Sequence, residues 1–123
     1  MPWRLTVRSG PRVTRERFDD LDSALAAIRR RGQELAEQPP RGPVDAKLRR
    51  FEPVQQVVAR LELAGPERLV SSVSAGVDVR GDGSSEAFLG RFRRQLIEPG
   101  GDEDAFDALA REVRAKLRPG RGG

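Results

Sequence analysis

The chain of 123 residues has no histidine, no cysteine and no tyrosine, and its two lysines are Lys47 and Lys116. Those absences remove the side chains that most often act near neutral pH as general base, thiolate nucleophile or transition-metal ligand. Without cysteine there is no disulfide framework, which fits a reducing compartment. No apolar run approaches the ~20 residues of a membrane span. The start, Met1-Pro2-Trp3-Arg4-Leu5, gives way to alternating polar residues in place of a signal-peptide core. Together these features predict a cytoplasmic protein with no membrane partner, and they leave carboxylate, hydroxyl and guanidinium as its chemistry.

Charge is abundant. Lys+Arg number 23 against 19 Asp+Glu, a formal net charge of +4, and charged residues make up 34% of the chain against 37% hydrophobic. With one Trp and five Phe the core is lean, so stability has to come from a few well-packed stripes. The length suits one domain, expected over residues 1–118, with a disordered tail at 119–123.

The apolar pattern divides that domain into two hairpin–helix units, 3–37 and 54–117, joined by a Pro- and Gly-rich linker at 38–53. Trp3, Leu5 and Val7 alternate with Arg4, Thr6 and Arg8, the period of a half-buried strand. Ser9-Gly10-Pro11-Arg12 is a turn, and Val13 to Phe18 a return strand. Asp19, Asp20 and Asp22 then open a helix by capping its free N–H groups. Its stripe is Leu21, Leu25, Ile28, Gly32 and Leu35, with Gly32 predicting a close approach to the sheet and Arg29-Arg30-Arg31 a solvated basic face. It must end before Pro39-Pro40. Within the linker, Val44 to Phe51 fits strand and helix spacing about equally.

A second hairpin places Val57, Ala59, Leu61 and Leu63 on one face with Val73, Ala75, Val77 and Val79, while Arg60, Glu62, Ser74, Asp78 and Arg80 face away. For 86–97 the residue types favour a helix with the stripe Phe88, Leu89, Phe92 and Leu96. The preceding Asp82-Gly83 instead signals a hairpin and a strand, and both readings stay open. Asp102 to Leu117 is a helix with acids in its first turns and cations in its last. The expected fold is α+β: an antiparallel sheet of four to five strands, two to three helices on one face, order β-β-α-β-β-(α or β)-α.

No motif carries a reaction. Arg80-Gly81-Asp82 matches an adhesion tripeptide but reads as a turn. Gly81-Asp82-Gly83-Ser84-Ser85 lacks the lysine and spacing of a phosphate loop, and as a calcium loop it has Arg80 where an oxygen ligand is needed. The cluster Asp102, Glu103, Asp104 and Asp107 is explained by its place at a helix start. We therefore expect no catalytic residue, no cofactor and no metal site.

The arginines are more suggestive. Residues 1–18 carry five Arg against one acid, 41–60 five cations against two acids, and the last eleven residues four cations and no acid. The first expectation is a non-catalytic interaction module that binds a protein partner, or itself, through a sheet face or edge. The alternative is sequence-nonspecific nucleic-acid binding through Arg4, Arg8, Arg15, Arg17, Arg49, Arg50, Arg91, Arg93 and Arg94. That alternative requires the arginines to converge on one surface.

Overall fold

The computed structural model describes residues 2–37, 57–65, 73–90 and 93–117. The linker with its Val44 to Phe51 segment, the 119–123 tail, and Arg49, Arg50 and Arg91 lie outside the described residues. The first unit is β1 (Trp3–Ser9), β2 (Arg12–Phe18) and α1 (Leu21–Ala36). The second is β3 (Val57–Gly65), β4 (Val73–Arg80), β5 (Ser85–Leu89), β6 (Gln95–Leu96) and α2 (Ala105–Leu117). The fold is α+β, with six antiparallel strands in the order β2-β1-β3-β4-β5-β6 and both helices packed against the sheet.

The β1–β2 hairpin turns through Gly10-Pro11. Gly10 supplies φ 60° and Pro11 cannot, so of the two favoured two-residue turns only the one with glycine first fits. The first register pair is Ser9–Arg12, and it runs on to Arg4–Arg17 and Trp3–Phe18. Every second residue points inward. Trp3, Leu5 and Val7 thus join Ala59, Leu61 and Leu63 of β3 and Ala75, Val77 and Val79 of β4 in the core.

Asp20 caps α1, its Oδ1 accepting the Ser23 N–H at 2.7 Å. The buried stripe Ala24, Leu25, Ala27, Ile28 and Gly32 lies against the sheet and α2. Gly32 meets α2 rather than the sheet: a methyl there would overlap the Phe106 ring. The close approach predicted from this glycine is therefore between helices, set by a large ring on the partner helix. Arg29-Arg30-Arg31 is also not one solvated face. Arg29 crosses to α2, donating to Asp104 Oδ2 and Asp107 Oδ1 at 2.7 Å each. Arg31 reaches back to β2, to Glu16 Oε1 at 3.1 Å and Thr14 Oγ1 at 3.2 Å. Arg30 alone of the three is exposed.

Within 86–97, residues 86–89 belong to β5 and 95–96 form β6, which brings the sheet to six strands. Arg80 closes the β4–β5 turn, donating its N–H to the Ser84 carbonyl at 2.8 Å and accepting from Gly83 N–H at 2.9 Å. After β5, Gly90 at φ 98° redirects the chain toward β6. The helical stripe is thereby split: Leu89 packs on the core, while Phe88 turns to the opposite face. No helix is long and apolar enough to cross a membrane among the described residues.

Candidate anion-binding face

Both helices cover one face of the sheet, and the other face is built from the alternate residues of each strand. On β1 these are Arg4, Thr6 and Arg8; on β2 they are Val13, Arg15 and Arg17. A two-residue loop closes on a hydrogen-bonded pair, so by alternation Arg4–Arg17 is a non-hydrogen-bonded pair, the closer of the two kinds. All four arginines are exposed, and Arg15 has no ion-pair partner among the described residues. No acid stands on the open side of either strand.

The half of this face formed by β3 to β6 is charge-paired. Arg60 clasps Asp78 with two hydrogen bonds, Nε to Oδ1 at 2.6 Å and Nη2 to Oδ2 at 3.0 Å. Asp78 is 8% exposed, and its hydrogen bond raises the Arg60 pKa against the opposing pull of burial. Arg80 donates to Glu86 Oε1 at 2.6 Å. In the next row, beyond Asp78 and Glu86 on the side away from Arg80, lies Phe88, on the face away from the helices yet only 2% exposed. Gly76, its register partner on β4, has no side chain, so the ring lies over the β4 backbone. The guanidinium carbons of Arg60 and Arg94 stand 5.8 and 5.1 Å from its centroid, within the range of cation–π attraction. Glu62 joins the two halves: its Oε1 accepts from Arg8 Nε at 3.0 Å, and its Oε2 lies 3.8 Å from Arg94 Nη2.

Of the nine arginines singled out in the sequence, Arg4, Arg8, Arg15 and Arg17 converge on one half-face, and Arg94 borders it through Glu62. Arg93 is exposed in the loop before β6 and is not part of this network. Sequence reasoning missed the paired half. Alternation had already placed Arg60, Glu62 and Asp78 on the polar face, but only the strand assignment of 85–89 puts Phe88 beside them. Among the described residues the open face carries Arg4, Arg8, Arg15, Arg17, Arg60, Arg80 and Arg94 together with Glu62, Asp78 and Glu86.

The acidic cluster before α2 is occupied by its own helix. Asp104 Oδ1 accepts the Asp107 N–H at 2.8 Å, and Asp107 Oδ2 accepts the Asp104 N–H at 3.1 Å, a reciprocal cap. Glu103 accepts from Gly100 N–H at 2.8 Å and from Arg111 Nε at 2.9 Å. The Arg111 and Gly100 hydrogen bonds hold the Glu103 carboxyl below the usual range. Burial pushes Asp104 up, but the hydrogen bonds from Arg29 and the Asp107 N–H outweigh it, and its pKa is lowered. A general acid needs the opposite shift. In the Arg80-Gly81-Asp82 turn, Asp82 Oδ1 accepts both the hydroxyl and the N–H of Ser84, at 2.6 and 2.9 Å, which lowers its pKa. A groove of about 270 Å³ beside this turn is lined by Arg80, Ser85, Glu86, Leu96 and Ile97 among others. Its charged pair is the internally satisfied Arg80–Glu86. Among the described residues no three acids converge as metal ligands.

These shifts fix a pH profile. Asp20, Asp82, Glu103 and Asp104 have depressed folded pKa values, so their contribution is complete above ~4 and is lost as pH falls through the folded values. With no histidine, cysteine or tyrosine side chain, little titrates between pH ~5.5 and ~9 apart from the terminal amine. Thermal melts should give a Tm flat to within ~2 °C over that range and falling steeply below pH ~4. A step centred near pH 6–7 would contradict this.

Compared with family models, with curated proteins and with solved structures, the chain matches none.

Proposed function

We propose that this protein is a non-catalytic binding module whose working surface is the β1–β2 half of the open sheet face, and that its partner is anionic. The observation that carries this reading is the convergence of Arg4, Arg8, Arg15 and Arg17 with no acid on the same side of either strand.

A protein partner that adds a strand to β2 is the second reading. By alternation, the outward-facing N–H and C=O groups of this seven-residue edge belong to Val13, Arg15 and Arg17. The same arginines oppose self-pairing: two β2 edges aligned antiparallel about Arg15 would set Arg15 against Arg15. The other edge, β6, is two residues long.

Retention on heparin–agarose tests the anionic partner directly. The native protein should bind at ~50 mM salt, and the Arg15→Glu variant should elute at clearly lower salt. Arg30→Glu, on the exposed side of α1, should elute close to the native position. Equal loss from both variants would assign retention to net charge and sink the proposal.

A further inference from the structure

We infer that the outer edge of β2 takes an extended acidic segment of a partner protein as an added antiparallel strand. Acids of that segment stand against Arg12 and Arg15, and an apolar side chain stands against Val13. The inference rests on the reading above that the β1–β2 hairpin is the working surface and its partner anionic. It names that partner as a polypeptide, held by its backbone as well as by its charge.

The backbone comes first. β2 ends the sheet, and among the described residues no strand pairs with its outer side. Its seven residues include no proline, and its register with β1 runs without a bulge from Ser9–Arg12 to Trp3–Phe18. Proline and bulges are devices that blunt an edge, and β2 has neither. The two-residue turn closes on a hydrogen-bonded pair, so by alternation Val13 and Arg15 turn their N–H and C=O groups outward. Arg17, the next such residue, has a further interaction of its own, which leaves the turn end of the strand as the pairing window. A second peptide backbone laid alongside at ~4.8 Å supplies donors and acceptors in the alternating order this edge needs. The phosphates of other polyanions are acceptors only. The template is also firm. Arg31 of α1 ties down the helix side of β2 through Glu16 Oε1 and Thr14 Oγ1, so pairing orders the partner and little else.

The side chains in the window then set the partner's pattern. By alternation Arg15 faces the open side of the sheet and Arg12 the helix side. Both are exposed, and neither has an ion-pair partner among the described residues. Val13 shares the open face with Arg15 and is 39% exposed. Along an antiparallel strand, the residue opposite Arg15 is followed by those opposite Thr14, Val13 and Arg12. Opposite charges and apolar pairs are the favourable cross-strand neighbours. The matching segment therefore reads acid, small polar, β-branched apolar, acid. A continuous chain of phosphates would set charge against Val13 instead.

Arginines on an edge strand also guard against aggregation. That role alone predicts that no segment pairs here. Fluorescence anisotropy at ~50 mM salt, where exposed charges are little screened, decides between the two. The probe is a short labelled threonine peptide with glutamate–threonine–valine–glutamate at its centre. The native protein should bind it. Methylating the backbone nitrogens of the first glutamate and of the valine removes two hydrogen bonds and no charge, and should weaken binding roughly 30-fold. Arg15→Glu should weaken binding of the parent peptide about fivefold. The same variant should bind a peptide with lysine in place of the first glutamate more tightly than the native protein does. Arg30→Glu should change neither affinity, and matched thermal melts check that each variant is folded.

Equal binding of the methylated and parent peptides would overturn the inference, because charge alone would then hold the segment. So would a native protein that is retained on heparin through Arg15 but does not bind the peptide. Either result leaves the anionic reading intact. Binding of neither peptide nor heparin would remove both.

Discussion

Gly76→Ala is expected to destabilise the fold by about 3 kcal/mol and lower Tm by roughly 10 °C or more. Propensity argues the other way, since glycine within a strand usually weakens it by ~0.5–1 kcal/mol. Space decides the sign. A methyl at Gly76 would overlap the carbonyl oxygen of Leu61 and stand 2.6 Å from Phe88 Cζ. The Leu61 oxygen belongs to the central β3–β4 ladder, so it can move only by disturbing hydrogen bonds at the middle of the sheet. The Phe88 ring can move only by leaving the two guanidiniums that cover it. Combining Gly76→Ala with Phe88→Ala tells the two clashes apart. The double variant relieves the ring but not the carbonyl, so it should remain less stable than Phe88→Ala alone. Chemical denaturation midpoints measure each term, and a Gly76→Ala variant as stable as the native chain would show that the ring does not lie across this glycine.

The reach and the limit of the sequence both show at this position. Alternation in β1, β3 and β4 placed every core residue of those strands, and it placed Arg60, Glu62 and Asp78 on the polar side. A period of two survives any change in how strands are ordered. Residues 86–97 were ambiguous because Phe88, Phe92 and Leu96 share a face at either spacing, and their types favour a helix. What decided between them is tertiary: β4 offers an open edge with Gly76 in register for the Phe88 ring. Gly32 makes the same point. The sequence shows that something comes close there, but the Phe106 ring arrives from 74 residues further along the chain, and no local pattern names it. For the candidate face, the sequence showed Arg4 and Arg8 sharing one strand face and Arg15 and Arg17 another, but only the Ser9–Arg12 register puts the two on the same side of the sheet. Pairing was not legible: Arg29 and Arg31 looked solvated until α2 and β2 brought Asp104, Asp107 and Glu16 to them.

Removing Asp78 should move stability and polyanion binding in opposite directions. Asp78 accepts both donors of the Arg60 fork and is 8% exposed. Asp78→Ala leaves a guanidinium, 29% exposed in its side chain, that cannot shed its proton. Breaking one side of a fully buried pair costs ~3–5 kcal/mol; with one partner partly wet, about 2 kcal/mol is expected, still among the larger single effects in this fold. Asp78→Asn keeps one acceptor and should lose about half as much. Replacing both members with leucine should return most of the stability, because the cost lies in the orphaned charge and not in the loss of the pair. The open face meanwhile becomes more basic by one unit. If Arg60 is released toward solvent, elution from heparin–agarose should move to higher salt. A variant that is less stable yet held more tightly is hard to produce by unfolding alone, since a disordered hairpin would scatter Arg4, Arg8, Arg15 and Arg17. Should stability and retention fall together, Asp78 would be holding the hairpin face in shape, and the two halves of the face could not be treated as separate surfaces.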